Sequence, residues 1–215
     1  MINAGLTNST HVSIIKIDTS VEKEDRMAAK GERTRGSIID ASYALFAQKG
    51  FKQVTMKDVC EITGMSRGGL YSHFSGTGAL FEALLEKISD KNTFDMESGI
   101  DQGTPAITIL NSALTQMKKE IGHPEDSLSV AIYEYAQMND PGKIIKLNHR
   151  AEEKWARLIN YGIKTGEFRE VDVDETVSMI LYSYQGIRMW SKIIPMKTKT
   201  ADQIINHIRK QLISS

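Results

Sequence analysis

Only one cysteine, four prolines and two tryptophans occur in 215 residues, and the chain has no net charge: 27 Lys and Arg balance 27 Asp and Glu. Each scarcity excludes something. A lone cysteine, Cys60, cannot build a disulfide framework or a Cys-based zinc site, and it suits a reducing cytosol. Long apolar runs are missing too. The most apolar stretch, 177–196, is interrupted by Gln185, Arg188 and Lys192, which a membrane-spanning helix would hardly tolerate. The apolar run at 12–17 is short and broken by Lys16, so it does not read as a secretory signal. The cytoplasm is therefore the expected location. At 40% hydrophobic and 25% charged residues, the composition is that of a folded soluble chain and not of a disordered one. Its length suffices to bury a core without covalent staples. The zero net charge argues, at first sight, against nucleic acid as a partner.

The balance conceals an uneven distribution. Residues 28–75 hold seven cations (Lys30, Arg33, Arg35, Lys49, Lys52, Lys57, Arg67) against four anions, an excess of three. Residues 76–215 carry an excess of two anions, and residues 1–27 an excess of one. So small an excess becomes meaningful only if the basic segment has the shape of a nucleic-acid reader.

Residues 1–30 show no sustained periodicity and read as a flexible tail, with Met27 as an alternative natural start. From Thr34 the spacing turns helical. Ile38, Ala41 and Leu45, with Ile39 and Phe46, form an amphipathic stripe that ends at Lys49-Gly50. Thr55 with Asp58 three residues on is a capping-box signature, and Gly64 ends that short helix. Ser66 caps another short helix, through Leu70, Tyr71 and Phe74. After the break at 75–78, apolar periodicity marks longer helices around Leu80–Ile88, Ile107–Ile121, Leu128–Met138, Ile144–Ile163, Val177–Trp190 and Ile204–Leu212. Thr104-Pro105, Pro124, Asp140-Pro141, Asp172 or Asp174, and Thr200 are their start signals. No alternating strand pattern of useful length occurs. The expectation is an all-α fold of about nine helices: a tail (1–30), a helix-turn-helix head (31–78) and a helical body (79–215).

Residues 55–74 are laid out as two short helices joined by a Gly-containing turn. Cys60 is small where the helices pack closely. Ser66 satisfies the first amides of its helix, whose partly positive end suits a phosphate. Two adjacent glycines, Gly68 and Gly69, should each cost a helix about 1 kcal/mol relative to Ala. Either this helix is weak, or the missing side chains let its backbone approach a DNA groove. Leu70 and Phe74 face the core, leaving Arg67, Gly69, Ser72 and His73 on the other sides. Arg67 is suited to read guanine or grip phosphate.

Residues 34–85 resemble the DNA-binding domain of TetR-type transcriptional regulators. The likeness rests on Leu45-Phe46-Ala47-Gln48-Lys49-Gly50-Phe51, on Thr55-Met56-Lys57-Asp58-Val59-Cys60, and on the run from Gly64 to Phe74. The resemblance implies a homodimer, usually a repressor, whose head binds a palindromic operator and whose body binds a small, partly hydrophobic inducer. Thr55, Tyr71, His73 and Thr77 would then lie at the DNA backbone, and Lys57 is a further DNA-binding residue. Ser66, Arg67, Gly68, Gly69 and Ser72 would lie against the groove. One position departs from the pattern: Thr77 stands where the family usually has Lys, which puts one phosphate contact in doubt. The resemblance also implies that helices near 174–194 and 200–213 form the dimer bundle.

In the body, Met117, Tyr133, Met138, Trp155, Tyr161 and Tyr184 are candidates for an inducer pocket or for ordinary core. His123 and His149 are ligand contacts, metal ligands or solvated histidines at helix ends. No His, Asp or Glu cluster has metal-ligand spacing, and no cofactor is expected. An enzyme would need a nucleophile elbow, a His-Glu-x-x-His or a phosphate loop, and none occurs. The remaining alternative is an architectural or adaptor protein whose body binds a partner protein. An enclosed cavity in the body would count against it.

Overall fold

The computed structural model of the chain describes residues 19–197 and 199–213, those at 19–25 and 91–95 by backbone only. Among the described residues it is all-helical: α1 (Thr19–Lys49), α2 (Met56–Thr63), α3 (Arg67–Tyr71), α4 (Thr77–Asp101), α5 (Ala106–Gly122), α6 (Ser129–Met138), α7 (Gly142–Lys164), α8 (Val173–Trp190) and α9 (Thr200–Leu212), with a 3-10 turn at Pro124–Asp126. The chain divides into two compact units, Met1–Ser37 and Ile38–Ser215, and the contacts described below lie within the second.

The starts of several helices differ from those expected. α1 begins at Thr19, so residues 19–30, expected as tail, are helical; residues 1–18 lie outside the described residues. This first part is rich in Glu, Lys, Ala and Arg, which favour helix intrinsically. It has no apolar stripe for periodicity to reveal. α3 is a helix of only five residues, with Ser72 and His73 continuing as a turn. Pro124 opens the 3-10 turn, and α6 begins later, at Ser129.

Thr104 does not cap α5. Pro105 occupies that position without a side-chain bond. The first amides of α5, those of Ala106 and Ile107, donate instead to the Glu167 carboxylate at 2.9 and 3.0 Å. A carboxylate from the turn after α7 thus does the capping, and its ionised form is favoured at a partly positive helix end. Two bonds across about 60 residues are invisible to a local reading.

Two apolar clusters hold the second unit together. One joins Ile38, Phe46, Phe51, Val59, Leu70, Phe74, Leu80, Phe81 and Leu84 to Leu128, Ala131 and Tyr135. It runs through the boundary expected at residue 78, because the first turns of α4 and the inner face of α6 close the core of the head. The other lies among α5, α7, α8 and α9, around Leu110, Leu114, Trp155, Leu158, Ile159, Ile180 and Leu212.

Candidate nucleic-acid interface and ligand cavity

The start of α2 is locked by reciprocal bonds. Thr55 Oγ1 accepts from the Asp58 amide at 3.2 Å, while Asp58 Oδ2 accepts from the Thr55 amide at 2.8 Å and from its hydroxyl at 2.6 Å. Lys49, in the last turn of α1, donates to Asp58 Oδ1 at 2.6 Å. The Lys49 ammonium, then the Thr55 hydroxyl and amide, hold the Asp58 carboxyl well below the usual carboxylate range. A phosphate contact from Thr55 requires that its hydroxyl proton change partner. Gly64 then turns the chain in the left-handed region (φ +67°), where a side chain would be strained.

Ser66 caps α3, its Oγ accepting from the Gly69 amide at 3.2 Å. Ser72 Oγ donates to the Gly69 carbonyl at 2.7 Å and steadies the short helix from its far end. Leu70 and Phe74 are buried beneath it. Thr55, Lys57, Ser66, Arg67, Gly68 and Ser72 are exposed. Tyr71 is 52% exposed. Gly69, His73 and Thr77 are half-buried. A side chain placed at Gly68 would meet nothing within 4 Å, whereas one at Gly69 would press on Ser66 Oγ at 3.3 Å. No packing within the chain therefore requires glycine at 68. Thr77 opens α4 behind Gly76, which offers no side-chain cap.

Behind this surface the aromatic rings interlock. The centroids of Phe46 and Phe81 are 4.7 Å apart, and Tyr135 meets Phe51 edge-on at 5.1 Å. The Tyr135 hydroxyl donates to Glu82 at 2.5 Å, and Lys143 approaches the same carboxylate at 3.4 Å. Burial, then the carboxylate beside it, pushes the Tyr135 phenol up to about 12. Glu134 accepts from the Lys52 amide at 3.0 Å, and the Tyr43 hydroxyl donates to the Asp126 carbonyl at 2.8 Å. Sequence reasoning missed every one of these ties. They join residues roughly 35 to 85 apart, and no local signal announces them.

An open cavity of about 580 Å³ lies between the end of α4 and helices α5, α7 and α8. Met117, Trp155 and Tyr184 line it, together with Leu181, Glu120 and Lys154. The other three ligand candidates are elsewhere. Tyr133 (57% exposed) and Met138 (58%) are on the outer side of α6, whose inner face is Leu128, Ala131 and Tyr135. Tyr161 packs against the body core and donates its hydroxyl to the Thr104 carbonyl at 3.1 Å. His123 Nδ1 donates to the Lys119 carbonyl and His149 pairs with Glu152, both on the surface. Glu120 and Arg188 had no sequence signal. Glu120 receives the Tyr184 hydroxyl and lies 3.3 Å from Arg188 Nη1, which also reaches the Tyr184 oxygen at 3.1 Å.

Among the described residues no group of three or more His, Cys, Asp and Glu could hold a metal ion. No described helix is long and apolar enough to cross a membrane.

Two cap-held short helices at a left-handed glycine turn, with a polar outer face and a buried inner one, define a helix-turn-helix DNA-binding head. Residues 38–84 match the family model described as bacterial regulatory proteins, tetR family. The chain is 29% identical to the HTH-type transcriptional regulator YfiR of Bacillus subtilis over 152 residues, 68% of this chain and 74% of that one. It is 23% identical to the HTH-type transcriptional repressor KstR2 of Mycobacterium tuberculosis over 154 residues, 70% and 77% of the two chains. The solved structure of a TetR-family transcriptional regulator from Agrobacterium tumefaciens has the same fold at 9% identity, with a TM-score of 0.71 over 86% of this chain and all of that one.

Proposed function

We propose that two copies of this chain form a repressor that leaves its operator when a small, partly hydrophobic ligand enters the body. The observation that carries this reading is α3. Arg67, Gly68, Tyr71 and Ser72 are turned outward on a helix held by Ser66 at one end and Ser72 at the other. The unforced glycine at 68 gives a DNA backbone or base edge room to approach. Arg67 reads a base, and Lys57, Tyr71 and His73 position the head on phosphates. Thr55 and Thr77 mark the helix starts nearest the backbone, where amides substitute for the Lys that the family usually has at the second.

Several further observations support the rest. The cavity is of the size that takes small ligands. Met179, Tyr182 and Trp190 form an exposed apolar stripe along α8, which suits helix pairing with a second copy. A dimer would set its two heads about 34–36 Å apart, one DNA turn, or a multiple of it. α4 belongs both to the core of the head and to the cavity wall, so a change at one end is carried to the other. Similarity to named repressors supports repression, and the place of action is the cytoplasm.

The test is binding of the purified protein to a fragment of its own promoter. Salt-sensitive, saturable binding with a two-fold footprint is the expected result. Arg67→Ala should erase the preference for that fragment over random DNA, and Tyr71→Phe should weaken both evenly. Absence of salt-sensitive binding by the wild-type chain would overturn the reading.

A further inference from the structure

One face of α8 leads from the cavity wall to the head. Tyr184, Arg188 and Lys192 are spaced four apart, on or just beyond this helix. At the cavity, Glu120 receives the Tyr184 hydroxyl and pairs with Arg188 at 3.3 Å. The guanidinium also lies over the Tyr184 ring, 5.2 Å from its centroid. Its Nε is buried and has no hydrogen-bond partner, and Glu120 is the carboxylate that pairs with its charge. One turn on, the Lys192 ammonium donates to the carbonyl of Ala47, in the last turns of α1.

Two cations on successive turns repel each other, and Glu120 is the carboxylate that offsets the first. The repulsion is already felt. Burial, then the charge of Arg188, pulls the Lys192 pKa down, against the opposite pull of Asp126 and Glu125. Arg188 also acts on Tyr43 of α1, where burial raises the phenol and the guanidinium lowers it. The ties that Lys192 and Tyr43 make to Ala47 and Asp126 thus lie within the field of Arg188.

On the reading that the cavity is the inducer site, we infer that Glu120 is its recognition group and that the ligand is an amphipathic cation, an amine on an apolar body, whose capture of Glu120 leaves Arg188 uncompensated and loosens Lys192 from α1. Trp155, Tyr184, Leu181 and Met117 supply the apolar and aromatic surroundings such a body needs. Lys154, the other charged group on the wall, also borders a second recess, lined by Glu86, Asp90, Glu97 and Glu153 and by Arg150 and Arg157.

The test uses the full-length protein, its promoter fragment and three matched probes: 4-phenylbutylamine, 4-phenylbutanol and 4-phenylbutyrate. Only the amine should raise the unfolding temperature of the wild type and release the DNA. Glu120→Gln should abolish both effects and, without any probe, weaken promoter binding about tenfold. In a Lys192→Met background the same change should cost less than twofold. Arg188→Met serves if Glu120→Gln does not fold: the amine should still stabilise it but no longer release the DNA. Undiminished promoter binding by folded Glu120→Gln overturns the inference. So does stabilisation by the acid or the alcohol in place of the amine, or release of the DNA from Arg188→Met by the amine. Failure of the wild type to bind its promoter would instead overturn the repressor reading, so the two failures are distinguishable.

Discussion

The two cores of this molecule are both helical and both apolar, yet they differ in what they leave open. The core of the head is closed by interlocked rings, with Phe46, Phe81 and Leu80 wholly out of solvent, and it presents a short rigid helix outward. The core of the body is built mainly of aliphatic side chains and leaves room for a ligand beside Met117, Trp155 and Tyr184. A surface that must match DNA repeatedly gains from having no internal freedom. A site that must change on binding gains from space and from polar groups not fully satisfied, as at Arg188. The difference is one of task, carried by packing, and not of secondary structure.

That contrast can be broken most sharply at Phe81. Phe81→Ala should cost about 3–5 kcal/mol, because it opens a void where three other rings converge. Urea unfolding would measure it, with promoter binding lost in parallel. Next is Gly162, where a side chain would come within 2.2 Å of the Phe168 ring. Gly162→Ala should destabilise by about 1–3 kcal/mol through overpacking, which would show that the body is tightly packed away from its cavity. A calorimetric scan decides this, and an unchanged midpoint would mean that Phe168 can swing clear.

Thr55→Ala should cost about 1 kcal/mol by removing the cap of α2. It should also weaken promoter binding. The partner in that cap gives a pH signature. The pKa of Asp58 is lower in the folded chain than in the unfolded one. Its contribution is therefore fully present above the ordinary carboxylate value of about 4 and is lost as pH falls below it. Melting temperatures between pH 5 and pH 2 should fall less steeply for Asp58→Asn than for the wild type. Tyr135 has the opposite sign. With its pKa raised to about 12, its stabilisation is complete below the ordinary phenol value of about 10 and is lost as pH rises through the folded value. Tyr135→Phe should remove that part of the alkaline decline. The smallest effect on stability belongs to Arg67→Ala. It should change stability by no more than about 0.5 kcal/mol while erasing base preference, because the residue faces outward.

Much of the head could be read from the chain. Thr55 with Asp58, Gly64, and Ser66 ahead of Gly69 are local signals, since each bond spans three residues or fewer, and the structure contains each as expected. The start of α1 escaped because a charged helix without an apolar stripe has no period to detect. The body was half legible. Periodicity gave its helices, but Tyr133 and Met138 look as suitable for a pocket as Met117 and Trp155 until the inner face of α6 is known. Glu120 and Arg188 are ordinary charged residues in the sequence and become a pair only where α5 meets α8.

The sequence by itself determined the helical class and the helix-turn-helix, because caps, turns and periodicity act over a few residues. It also determined where the charge lies: a chain of zero net charge carries an excess of three cations at 28–75. Tertiary structure alone decided which side chains surround the cavity, that Glu167 caps α5, and that Tyr135 closes the core of the head from the body. Those depend on residues 50 to 80 positions apart meeting in space, and only the packing of whole helices brings them together.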